Sequence, residues 1–190
     1  MNPTGRHAAP PAGSLRIDAA GANVAQQRVS APPNAGWTGT GPVAEALSRH
    51  ATSQYVPDGY DRSRGTGDSG VVFFAGAGAQ FARDTYPEYP PGALNTRHGN
   101  SPTLRRLLAA ATRHPVRVEL GGYAVGPHGD EERIAADRVY LFTQATTGVD
   151  AWRQAQDDYG ILGATATPEH ITLVDVPWRP GEKAWLLAWD

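Results

Sequence analysis

The chain has 190 residues, 40% of them hydrophobic and 19% charged, enough for one globular core and too few for two large ones. Its formal net charge of -2 comes from interspersed acids and bases, which excludes the basic footprint of a nucleic-acid binder. It has no cysteine, so disulfides, thiolate catalysis and zinc-cysteine sites are excluded as well.

Residues 1–70 are rich in glycine and proline and poor in large aliphatic side chains. Such a segment buries too little apolar surface to offset the entropy of ordering it, so an extended arm held by a host is expected. Within it, "PVAEALSRHA" predicts one short helix with Pro42 in its first turn. The opening "MNPTGRHAAPPAGS" lacks the apolar core of a signal peptide, and no run of 18 apolar residues occurs anywhere. The expectation is a protein made in the cytoplasm and not inserted into a membrane.

From Val71 the character changes, and residues 71–190 are expected to form the folded domain. "VVFFAGAGAQF" reads as a buried strand followed by a bend, and "TYPEYPPGALNTRHGN" as a loop. "SPTLRRLLAAATRHP" carries helix signals, with Ser101 as the cap, Pro102 in the first position, and Leu104, Leu107, Leu108 and Ala111 on one face. "VRVELGG" alternates as a half-buried strand does. In "HGDEERIAADRVYLF" Asp130 predicts the cap of a second helix, with Glu131 and Glu132 in its first turn and Ile134, Ala135, Leu141 and Phe142 facing inward. "VDAWRQAQDDYG" predicts a further helix, capped by Asp150 and stopped by Gly160. "HITLVDVPW" and "KAWLLAWD" read as two last strands joined by the turn "RPGE".

Several stretches resemble chemical motifs, and each has a plainer explanation. "GDSG" places Ser69 in the sequence context of a serine nucleophile, yet too little chain precedes it to carry a histidine and aspartate on barrels. "GAGAQF" has Phe81 where a dinucleotide fingerprint needs its third glycine. His128, Asp130 and Glu131 are neighbours that suit a loop and a helix cap better than a metal, and Asp157 and Asp158 suit a solvated helix end. Neither a metal nor a cofactor is expected.

A strand, a glycine-rich loop and then "IAADRV" resemble the Leu-Ser-x-x-Arg-Ala pattern of the OmpA-like C-terminal domain, a peptidoglycan-binding fold. The resemblance covers roughly residues 71–190 and implies an α/β two-layer sandwich of βαβαβ type preceded by an extended N-terminal arm. It also implies that Arg138 grips a carboxylate, with Tyr123 in the loop beside it. The acid that pairs with this arginine in the family is replaced by Ala124 or Val125, so Asp130 or Glu131 would have to stand in for it. The expected function is therefore a structural or adaptor component of a large particle, such as a phage tail or contractile injection assembly, with other protein chains as partners. Alternatives are a peptidoglycan-binding wall anchor and a secreted toxin-type enzyme. Trp37, Trp178, Trp185 and Trp189 are the expected interface residues, since tryptophan is enriched at binding hot spots.

Overall fold

The computed structural model describes residues 36–39, 41–52, 71–126 and 132–190. Asp130 and Glu131, with His128 and Ser69, lie outside the described residues. All described residues belong to one compact unit, Asn34–Asp190.

Among the described residues, besides three short 3-10 turns, four α-helices and five strands follow one another: α1 (Gly41–His50), β1 (Val71–Ala77), α2 (Ala79–Thr85), α3 (Leu104–Arg113), β2 (Val118–Val125), β3 (Arg133–Leu141), α4 (Gly148–Asp157), β4 (His170–Asp175) and β5 (Lys183–Ala188). The strands form one sheet in the order β1-β2-β3-β5-β4, and every pairing is antiparallel. The fold is thus a mixed α/β one with a five-stranded antiparallel sheet. The expected βαβ alternation gives way here to two hairpins, β2–β3 and β4–β5.

The largest departure from expectation is β3. The residues read as a capped helix, including Arg138, form a nine-residue strand. Its pairing with β2 shifts register between Gly121 and Gly122, because Gly121 faces Arg138 whereas Gly122 faces Ala136. Asp137 is the extra residue of this bulge. Ile134 and Ala136 before it, and Val139 and Leu141 after it, all reach the main core. One inserted residue changes the phase of a period-two pattern, and the result imitates helical spacing. With the helix gone, Arg138 is not at the position that the family resemblance implies.

The main core joins one face of the sheet to all four helices. Leu104, Leu107, Leu108 and Ala111 of α3 pack there with Phe74, Leu120, Val139 and Leu187, as do Ala151 and Trp152 of α4. Helix α2 is an element where a bend and loop were expected, and it buries Phe81 and Ala82 in the same core, with the Phe81 ring stacked on Phe74. The caps also differ from expectation. Thr103, not Ser101, precedes α3, and the buried Ser101 hydroxyl instead accepts a bond from the His98 backbone. Thr147 caps α4 by accepting from the Asp150 backbone N–H, while its hydroxyl donates to the Asp150 carboxylate.

The core also begins earlier than Val71. Val43, Ala46 and Leu47 of α1 belong to it, and so does Trp37, tilted against Tyr89. The Glu132 carboxylate holds this early segment by accepting bonds from the Gly36 and Thr38 backbone N–H groups and from the Thr38 hydroxyl, at 2.6 to 2.7 Å. Three donors on one carboxylate make a strong, charge-assisted tie across the chain.

Candidate functional site

The other face of the sheet carries a smaller apolar cluster of Ala75, Tyr140, Val176 and Ala184, with Phe142, Trp178 and Leu186 packed against it. The β4–β5 turn folds over this cluster. Arg179 lies 3.8 Å over the Phe142 ring and places its Nε and a terminal nitrogen 3.0 and 2.7 Å from the buried Glu119 carboxylate. The Trp178 indole N–H donates to the other Glu119 oxygen at 2.6 Å. A buried carboxylate needs such partners, and together they close this part of the face.

Further along the same strands, Tyr123 and His98 meet, with the hydroxyl 3.1 Å from His98 Nδ1 and Arg133 over the phenol ring. Arg138 lies in the neighbouring strand, its side chain 13% exposed, with Nε 3.8 Å from Asp137 Oδ1. Asp137 itself is a bulge residue whose side chain is 8% exposed and whose Oδ1 makes no hydrogen bond. Burial is the largest influence on it and raises its carboxyl above the usual aspartate range, against the opposing pull of Arg138 and His98. The structure therefore groups two of the expected ligand residues, Tyr123 and Arg138, on paired strands. It adds His98 and Asp137, which no sequence motif marked.

The tryptophans separate. Trp37 is 7% exposed and Trp189 is 1% exposed, so both are core residues and neither presents a surface to a partner. Trp189 packs edge-on against Trp152 and donates its indole N–H to the Ala166 carbonyl. Trp185 packs partly buried against the main core and donates to the Ala145 carbonyl. Trp178 alone of the expected four lies on the opposite face.

Strand β4 forms one edge of the sheet and pairs, among the described residues, only with β5. At the far edge, β1 is bridged by Ala51 opposite Phe74, and the Thr52 N–H donates to the Phe73 carbonyl at 2.9 Å. No segment among the described residues pairs with the outer edge of β4. Four of its six residues, His170, Thr172, Leu173 and Asp175, are exposed, and Leu173 retains 48% of its surface. The strand contains neither proline nor lysine, two residues that blunt natural edges, and its one acid, Asp175, stands at its very end. Sequence reading found the strand but not its place, because edge position depends on strand order.

Among the described residues no cluster of three or more histidines or acids is arranged to hold a metal ion, and no helix is long and apolar enough to cross a membrane. No family model, no curated protein and no solved structure matches the chain.

Proposed function

We propose that this chain is an interaction module, an adaptor within a larger protein assembly, and that an extended segment of a partner protein joins its sheet along β4. The open edge of β4 carries this reading. Strand addition satisfies the unpaired backbone groups of the edge, while alternate side chains of the incoming segment meet Leu173 and Ile171 on one side and Thr172 on the other. The four-strand remainder of the sheet and the helices behind it hold that edge in place.

A wall-peptide ligand at Arg138 has less support. Arg138 lies on a strand, nearly buried, and beside Asp137, whereas the family resemblance places it on a helix that follows the glycine-rich loop.

The test is site-specific photo-crosslinking in cells that make the protein. A photoreactive residue at Thr172 is expected to capture a defined partner, and the same group at Val149, exposed on α4, is not. Leu173→Lys should abolish the Thr172 crosslink without lowering thermal stability. Equal capture at the two positions, or none at Thr172, refutes strand addition, and a crosslinked dimer of this chain would identify the partner as a second copy.

A further inference from the structure

A concave surface lies between the C-terminal end of α1 and the β4–β5 turn. It is a cleft of about 400 Å3 lined by Arg49, His50, Thr52, Ala75, Gly76 and Trp178, within the size range of small-molecule sites. Three observations bear on what it accepts.

First, its aromatic wall is fixed before any ligand arrives. The pyrrole part of the Trp178 indole rests on Gly76, its N–H is held by Glu119, and Tyr140 meets it edge-on at 5.0 Å. Second, His50 is half-buried, its ring edge-on to Phe81 at 5.7 Å, and it hydrogen-bonds the Ala75 backbone. Burial, the largest cause, lowers its pKa; the Ala75 bond opposes this most, followed by Glu119 and Asp84, while Arg49 adds to the lowering. A lowered pKa favours the neutral form of the ring. An imidazole that donates one N–H to a carbonyl carries a lone pair on its other nitrogen. Third, the cation at the rim is already used. Arg49 contacts Glu45 at 2.8 Å and Asp84 at 2.6 Å, and a guanidinium shared by two carboxylates has little left for an anionic ligand.

From these we infer that the cleft binds an uncharged, planar nitrogen heterocycle, which packs on the Trp178 indole and donates an N–H to the imidazole of His50. The class follows from the parts. A rigid indole selects a flat ring, a neutral imidazole selects a donor, and an Arg49 already paired with two carboxylates offers little to phosphates and carboxylates.

The experiment uses the full chain and adenosine as probe, with side-chain NMR of His50 and of the Trp178 indole as readout. Adenosine is expected to shift both resonances with a dissociation constant in the range of about 0.1–10 mM, typical of a small ring in an open cleft. N6,N6-dimethyladenosine keeps the flat ring but loses the donor and should bind about tenfold more weakly, and adenosine monophosphate should bind more weakly than adenosine. His50→Phe preserves the edge contact with Phe81 and removes the acceptor. It should abolish the difference between adenosine and its dimethyl form. The inference is overturned if adenosine and benzimidazole leave both resonances unmoved at about 10 mM. It is equally overturned if the two adenosines bind alike to the unaltered chain.

Discussion

The indole of Trp178 occupies the space where a side chain on Gly76 would begin: a Cβ there would stand 2.7 Å from Trp178 Nε1. Gly76 has φ of +69°, a backbone conformation in which any other residue is strained. The glycine of "GAGAQF" thus serves a contact between β1 and the β4–β5 turn. Gly76→Ala should cost about 2–4 kcal/mol, part from the backbone and part from the displaced indole. Urea unfolding measures it. In a Trp178→Ala background the same substitution should cost only the backbone part, about 1–2 kcal/mol.

Glu119 and Arg179 form the principal ion pair under that turn, at 2.7 Å, with side-chain exposures of 9% and 22%. Arg179→Ala leaves Glu119 buried with only the Trp178 N–H and should destabilise the fold by about 3–5 kcal/mol, less whatever water reaches the site. The double variant Glu119→Gln, Arg179→Met should recover a large part of that loss. A double variant as unstable as Arg179→Ala alone would show that the packing of Arg179 on Phe142, and not the buried charge, sets the cost.

Asp137 should make stability depend on pH. Burial, its largest influence, raises its carboxyl pKa in the folded chain above the unfolded value, so the folded state holds the proton more firmly. Such an acid favours folding fully at low pH, and that contribution is lost as pH rises from the ordinary aspartate range through the raised value. Asp137→Asn removes the titration. Melting temperatures from about pH 4 to pH 7 should show the variant gaining on the unaltered chain as pH rises. A constant difference across that range would contradict the assignment.

Glu132 ties residues 36–38 to the start of β3 through three accepted bonds. Glu132→Ala should cost about 2–3 kcal/mol, the scale of lost hydrogen bonds to a charged group. It should also open the chain near Trp37 to protease, with cleavage there preceding cleavage in β1–β5. Unchanged protease resistance near Trp37 would mean that its packing on Tyr89 suffices to hold the segment.

Much of the fold was legible where local pattern and tertiary role agree. The leucines of α3 at helical spacing, the β-branched and aromatic run of β1, and the β4–β5 hairpin around Gly181 all announce themselves. Helix α2 was hidden because its seven residues sit between a glycine-rich stretch and a proline-rich one. Less of the candidate sites was legible. Tyr123 and Arg138 stood out as residues, but His50, His98 and Asp137 are 87 positions apart at the extremes, and no spacing rule joins them. The four tryptophans scatter for a related reason, since composition marks a large aromatic side chain but not the side of the sheet on which it lands.

What the amino-acid sequence by itself determined is the set of elements with a clean period: α1, α3, α4, β1, β2 and the last hairpin. Their hydrophobic repeats and turn residues act over a few neighbours, and no distant contact is needed to express them. Tertiary structure decided that 133–141 is a strand and that β4 ends the sheet. It also decided that Gly76, Trp178 and His50 share one cleft. A single bulge residue, Asp137, reverses which side chains face inward, and only the pairing of β3 with β2 and β5 makes that phase change favourable.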